Sequence, residues 1–451
     1  MSIPLRQAIV PVYLFLCLIA GGSPQGVLAS LMLQLLGLAL LGWAAFGDAP
    51  TAQTRSVRYL TMLMATVVAV VIVQLIPLPP AIWSNLPGRG PVVAGFVLLE
   101  QPLPWLPWSM APAETLGSGL WMIPPFAVLA GITRLGAFRS RYVAAAIVIA
   151  TLSGVALGAV QSSSGSGYLF PVVTRGQAAG FFANANYMGT LLLVALPFVA
   201  ALVRRYAGES RSSSRVGSGH WAIAAAAALL IVLGLLLNNS AAAILLAFPV
   251  AAISLLLLVG SRPGLGKWVI GGAVAFAAAA LVALATMPAL SNRSNALSVA
   301  AREQTYQTVF PLVVENLPFG SGIGSYPRIF PRAENSQTVE REIANHVHND
   351  YLEIILETGI FGALLIIAFL GWWGLRAIAI WRSPAVGAFA RAATVGSAAV
   401  LLHSLVDFPA RTMAISAVLA ACVALMAEPR PRPREEQSSH RNRPARHLSL
   451  D

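Results

Sequence analysis

Charge is what this chain most conspicuously lacks. Only 10% of its 451 residues are Asp, Glu, Lys or Arg, against about a quarter in a soluble domain. So few charges cannot clothe a water-facing surface, and 57% of the residues are hydrophobic, so lipid must cover most of the chain. The short alternating segments of a membrane barrel are also missing, which leaves helices as the spanning elements. Cysteine is scarce: Cys17 and Cys422 lie in apolar runs at opposite ends, and their spacing suggests neither a disulfide framework nor a metal site. Finally, the central parts of the apolar runs hold almost no Asp, Glu, Lys or Arg, only amides such as Gln34 and Gln74. Ion-coupled transporters usually carry ionisable groups at that depth. Chemistry at one membrane face is therefore favoured, with a multi-span polysaccharide or lipid transporter as the alternative.

What is present is a series of apolar runs, each long enough for the roughly 20 residues of helix that cross a bilayer. They predict an all-α polytopic membrane protein of about twelve spans: 5–21, 25–46, 59–79, 116–133, 142–161, 184–203, 221–237, 241–259, 268–287, 351–373, 385–406 and 411–427. The apolar stretch from 221 to 259 is broken only by Asn238-Asn239-Ser240. One straight helix of that length would reach about 58 Å, so the triplet reads as a turn at a membrane face. The run from Ala8 to Ala20 resembles a signal peptide, but the Ala20-Gly-Gly-Ser-Pro24 site is poor and a second run follows at once, so it reads as an uncleaved first helix.

With both termini inside, most of the 29 basic residues fall in cytoplasmic loops, among them Arg134, Arg139, Arg141, Arg204, Arg205, Arg211, Arg215, Arg262, Lys267, Arg376 and Arg382. The acidic residues lean outward, as the positive-inside rule asks. The net charge of +12 is thus a topology signal, and nucleic acid is not an expected partner. Residues 1–427 form a single transmembrane domain. Residues 428–451, rich in Pro, Arg and Ser, read as a disordered basic cytoplasmic tail. Two outside segments are long. Pro80–Thr115, with Trp83, Trp105 and Trp108, suits the membrane surface. The loop 288–350, between the ninth and tenth spans, is too long for a simple connection; it holds an expected surface helix, Ala300–Asn316, and a turn-rich stretch from Pro318 to Tyr326.

The strongest local signal is His346-Val-His-Asn-Asp350, where that loop re-enters the membrane, followed by Glu353 and Glu357 one helical turn apart. Three readings apply. His-x-His can ligate metal, but only His403 is placed as a further outside histidine, so no metal is expected. The motif can be a hydrated loop with capping residues. Or an imidazole, which titrates near working pH, serves as general base or acid. The outside arginines, Arg89, Arg175, Arg293, Arg302, Arg328, Arg332, Arg341 and Arg411, either hold an anionic ligand, phosphate above all, or pair with Glu303, Glu334, Glu340 and Glu342.

His346-Val-His-Asn-Asp-Tyr-Leu-Glu with Glu357-Thr-Gly-Ile-Phe-Gly362 resembles the signature of the bacterial O-antigen ligase and O-antigen polymerase superfamily. Three more stretches agree in order: Arg175-Gly-Gln-Ala-Ala-Gly-Phe-Phe-Ala-Asn-Ala-Asn186, Arg302 through Pro318-Phe-Gly-Ser-Gly-Ile-Gly324, and His403-Ser-Leu-Val-Asp-Phe-Pro409. The resemblance covers about 100–425. Where many members carry a Ser-Arg pair before the eighth span, this chain reads Asn238-Asn-Ser-Ala-Ala242, so any phosphate contact from there must come from elsewhere.

The resemblance implies a GT-C-like glycosyltransferase of the bacterial inner membrane. It would move a glycan from undecaprenyl diphosphate to an acceptor hydroxyl on the periplasmic face, as an O-antigen or exopolysaccharide polymerase or as an O-antigen ligase. The acceptor is a glycan or lipid; a chain-length regulator is a further expected partner beside membrane lipids. No cofactor is expected, and the reaction is metal-independent and inverting. By the same resemblance His348 is the base, with His346 beside it. Arg175 and Arg302 would hold the diphosphate, Asn349, Asp350 and Glu357 would support the site, and Asn184 and Asn186 would either bind sugar hydroxyls or form a turn.

Overall fold

A computed structural model of the protein describes residues 3–23, 28–47, 54–171, 173, 175–210, 219–259, 271, 293–334 and 345–428. All but Gly271 of the span expected at 268–287, all but Glu428 of the basic tail, residues 288–292 and 335–344 of the long loop, and Arg211, Arg215, Arg262, Lys267 and Arg341 lie outside that set. Among the described residues the fold is helical, with a single two-residue antiparallel ladder between Pro77–Leu78 and Leu106–Pro107.

Among the described residues seven helices are long and apolar enough to cross a membrane: Leu28–Phe46, Arg55–Leu75, Pro112–Thr133, Ser140–Ser164, Ala185–Tyr206, Ala241–Leu258 and Asp350–Arg382. Four shorter apolar helices, Ile9–Ala20, Ala225–Asn238, Ala388–His403 and Met413–Ala427, occupy positions where further spans are expected. Departures from the expected boundaries have local causes. The helix at Arg55 begins where Thr54 caps the amide of Val57 at 3.2 Å and stops at Leu75, just before Pro77. Residues 112–133 form two helices meeting at Met122, ahead of Pro124-Pro125. The helix from Asp350 runs to Arg382, 33 residues in all, and breaks at Gly359 (φ 62°, ψ −142°).

The helix starting at Ala185 is the hub. Of its most apolar window 89% is buried, against 17% for Arg55–Leu75, so among the described residues the first is central to the bundle and the second is exposed along most of its length. It packs against Ser140–Ser164, Gly219–Asn238, Ala241–Val259 and Ala388–His403. Small residues permit this closeness, since apolar burial drives little association in lipid and packing must supply it. A Cβ on Gly189 would lie 2.7 Å from that of Ala243.

The long loop has a core of its own. The helix Arg293–Asn316 is longer than the expected Ala300–Asn316, and with Tyr326–Ala333 it buries Val309, Leu312, Val313, Tyr326, Ile329 and Phe330 against Val347 and Leu356. Between the two helices, the glycine-rich turn fills the break at Gly359. A helix broken there leaves carbonyls without partners. Ser321 N donates to Leu356 O (3.0 Å), Gly322 N to Glu357 O (2.8 Å), and Ile360 N to Pro318 O (2.9 Å). Gln74, which reads in the sequence as a mid-span amide, instead ends its helix and bridges the turn. Its Nε2 donates to Glu357 O (3.1 Å) and its Oε1 accepts from Ile323 N (2.9 Å). The Pro-x-Gly-x-Gly pattern is thus, first, the piece that lets backbone approach backbone. Gly320 has φ +77°, and a Cβ there would meet Thr358 N at 2.5 Å.

The segment from Pro80 is anchored rather than loose. Trp83 is buried and donates to Pro104 O (2.8 Å). Arg89 is buried too, donating to the carbonyls of Trp108 and Pro107. Burial, then the charge of Arg332, lowers its pKa to about 10. The same segment exposes Ile82, Val97, Leu98, Leu99 and Trp105, a composition suited to the membrane interface.

Candidate active site

The histidine motif starts from a helix N-terminus. Asn349 caps it, its Oδ1 accepting from Leu352 N (3.0 Å), while its Nδ2 donates to Leu405 O (3.0 Å) and Asp350 N donates to Ser404 O (3.0 Å). These bonds tie the start of that helix to the loop after His403. Asn349 is therefore a capping and tethering residue. His348, just before the cap, sits at φ +59°, a left-handed conformation that costs a bulky residue of order 1–2 kcal/mol. Its carbonyl is held by Tyr306 Oη (3.1 Å).

Each histidine has a carboxylate partner. His346 Nδ1 lies 2.7 Å from Glu353 Oε1, and Glu353 Oε2 accepts from Val347 N at 2.9 Å. Glu353 thereby fixes the loop from both sides. His348 Nδ1 lies 3.3 Å from Asp407 Oδ1, and Asn186 Nδ2 donates to Asp407 Oδ2. No hydrogen bond is described at His348 Nε2, and 32% of that side chain is exposed. Phe408 walls both rings, with centroids 4.3 Å from His346 and 4.8 Å from His348.

Beneath the histidines lies an ionic knot. Arg411 faces Glu357 (3.1 Å), Glu353 (3.4 Å) and Asp350 (3.6 Å). Asp350 also accepts from Ser404 Oγ (2.7 Å) and Ala410 N (3.3 Å). Burial works against the charge on Arg411, but Glu353, Glu357 and Asp350 outweigh it and hold the guanidinium firmly ionised. For Asp407, burial alone would push the carboxyl up. The hydrogen bond with His348, first among the opposing causes, and the charge of Arg302 work against this, and the carboxyl is held well below the usual carboxylate range. The stabilisation that comes with ionising this carboxyl is present above the ordinary Asp range and is lost only as pH falls into strong acid. Arg302 lies one helical turn before Tyr306, partly exposed, and its charge is felt at Asp407, Tyr306 and His403.

The structure therefore gathers His346, His348, Asp350, Glu357 and Asn186, with Arg302 in electrostatic reach. It does not gather all that the sequence proposes. Arg175 is exposed, and no contact described links it to the histidines. Asn184 is a turn former, its Oδ1 accepting from Asn186 N (2.9 Å). Asn238, where the Ser-Arg pair is lacking, secures the intervening loop: its Nδ2 donates to Ala178 O (2.9 Å) and Ala185 O (2.6 Å). Arg411 does pair with carboxylates, but with Asp350, Glu353 and Glu357 rather than those of the long loop. Arg328 pairs with Glu114 at 2.5 Å. Asp407, Arg411, Glu353, Tyr306 and Phe408 are not picked out by the sequence as site residues. The signals in the sequence are the spacing of Glu353 and Glu357, the motif that contains Asp407 and Phe408, and the place of Arg411 among the outside arginines; Tyr306 has none. Among the described residues no group of three or more His, Cys, Asp or Glu is placed to hold a metal ion.

A polytopic helical protein with buried carboxylates orienting imidazoles at one end of its bundle is the class this geometry defines. A family model described as O-antigen ligase matches residues 226–367, which supports the O-antigen ligase and polymerase superfamily and glycan transfer as its chemistry. The match takes in Arg302, the glycine-rich turn and the histidine motif, and ends before His403. No curated protein matches the chain at a significant level.

Proposed function

We propose that the protein is an inner-membrane glycosyltransferase whose site faces the periplasm. It moves a glycan from undecaprenyl diphosphate to an acceptor hydroxyl. The observation that carries this reading is the His348–Asp407 pair beside Arg302. Asp407 engages Nδ1 and leaves Nε2 to take the proton of the attacking hydroxyl, as a positioned general base does. Arg302 neutralises charge on the departing diphosphate. A diphosphate is a good leaving group, so no strong protein acid and no metal are required, and single-step displacement inverts the anomeric carbon. Arg175 is retained only as a second contact to the diphosphate. Neither Asn238 nor Asn239 replaces the arginine missing before the eighth span, so the phosphate charge falls mainly to Arg302.

The polarity of the bundle agrees with this. Arg376, toward the far end of the helix that starts at Asp350, donates to Met426 O (2.8 Å) at the far end of the helix that follows Arg411. Basic residues thus grip one end of the bundle and the histidines occupy the other, the arrangement the positive-inside rule describes for a periplasmic site.

Arg302→Ala should raise the apparent KM for lipid-linked donor and lower kcat together, by about tenfold or more in kcat/KM, with protein abundance unchanged; an unchanged kcat/KM removes Arg302 from the diphosphate. The acceptor class follows from the glycans of a deletion strain. Loss of long chains with one repeat still attached to its acceptor identifies a polymerase. Accumulation of complete lipid-linked polymer identifies a ligase, and a wild-type glycan profile overturns the proposal.

A further inference from the structure

We infer that Thr190 and His403, two fully buried residues far from solvent, are positioning residues that hold Asp407, and through it His348, in the orientation transfer requires. The inference rests on the base role given to His348 above.

Hydrogen bonds connect them by way of Asn186, which meets Thr190 through its backbone carbonyl and Asp407 through its side-chain amide. His403 Nδ1 lies 2.8 Å from Thr190 Oγ1, and Thr190 Oγ1 lies 3.1 Å from Asn186 O. Asn186 Nδ2 donates to Asp407 Oδ2, and Asp407 Oδ1 meets His348 Nδ1 at 3.3 Å. A threonine hydroxyl has one proton. That proton goes either to Asn186 O, with His403 donating from Nδ1, or to His403 Nδ1 itself, and in either neutral tautomer Nε2 is buried without a partner among the described residues.

His403 also acts through its backbone. Its carbonyl accepts from Val406 N and Asp407 N, both at 3.0 Å, closing the turn that presents Asp407. The same residue thus sets the backbone at Asp407 directly and its carboxylate by way of Thr190 and Asn186. Thr190 lies on the central helix and His403 ends the helix Ala388–His403, so the loop carboxylate is referenced to two helices that pack against each other. Cohesion alone does not call for these residues. A buried ring with one nitrogen unsatisfied carries a desolvation cost that a leucine or phenylalanine of similar size would avoid.

The test compares Thr190→Val, Thr190→Ser, His403→Phe, His403→Asn, Asp407→Asn, His348→Ala and the double variant Thr190→Val/Asp407→Asn in purified membranes, with transfer normalised to protein. Thr190→Val and His403→Phe should each lower kcat about tenfold, with donor KM unchanged. Thr190→Ser keeps the hydroxyl, and His403→Asn keeps a donor near the position of Nδ1, so both should stay within about twofold of wild type. The double variant should be no worse than Asp407→Asn, because residues acting through one carboxylate are not additive. Full kcat in Thr190→Val and His403→Phe, or losses that multiply with Asp407→Asn, overturns the inference. If Thr190→Val does not accumulate, the His403→Phe and His403→Asn pair decides: equal activities overturn it. Should His348→Ala and Asp407→Asn themselves transfer at full rate, the base assignment fails. Should those two lose transfer while Thr190→Val and His403→Phe retain kcat, only this inference fails.

Discussion

Replacing His348 by alanine is expected to lower glycan transfer about 10²- to 10⁴-fold, the usual worth of a positioned general base, with little change in the amount of protein in the membrane. The ring is 32% exposed, and its described contacts are the hydrogen bond to Asp407 and the edge contact with Phe408. The left-handed backbone at φ +59° supplies a control. Asn tolerates that conformation better than most residues, so His348→Asn should fold at least as well as the alanine variant and be as inactive. His346 predicts a different pattern. It faces Glu353, which also holds Val347 N, so His346→Ala acts by loosening the loop. Transfer from lipid-linked donor in purified membranes, normalised to protein, is the measurement, and undiminished transfer by His348→Ala removes this residue as the base.

The second large effect concerns stability. The side chains of Asp350, Glu353 and Glu357 are 6%, 0% and 1% exposed, and Arg411 faces all three. Arg411→Met leaves buried carboxylates without a cation, a change that costs about 3–5 kcal/mol in buried ion pairs. The expected readout is a lower unfolding midpoint in detergent and less accumulated protein. Arg411→Lys should recover only part, because an ammonium is a point charge and cannot spread donors over three carboxylates as a guanidinium does. Glu357→Gln on the Arg411→Met background should recover more, since it removes one of the stranded charges. A wild-type midpoint for Arg411→Met would show that the knot is not holding the site together.

These two effects fall on residues of different legibility. His348 was readable because its motif is local: five consecutive residues and two glutamates one turn apart, at the start of an apolar helix. Glu353 and Glu357 share a face by helical periodicity alone. Arg411 was readable only as a cation outside the membrane, with ligand binding and pairing both open, and its partners are 54 to 61 positions away in the chain. Asp407 lies 59 residues from His348, and nothing in the local pattern of either says they meet. The mid-span amide Gln74 was misread for a similar reason. Its helix ends one residue later, and its role as a bridge appears only when the glycine-rich turn docks beside it.

The sequence by itself determined that the chain is built of membrane helices, where most of them run, and which short motif gathers imidazoles at a helix start. Those follow from composition and from periodicities a few residues long, which depend on each residue's own transfer energy and backbone preference. Only the tertiary structure decided which carboxylate serves which histidine and which arginine is spent on structure. Such pairings depend on the axial register and rotation of helices packed against one another, and shifting a helix by one residue turns its side chains by about 100°. No local pattern carries that information.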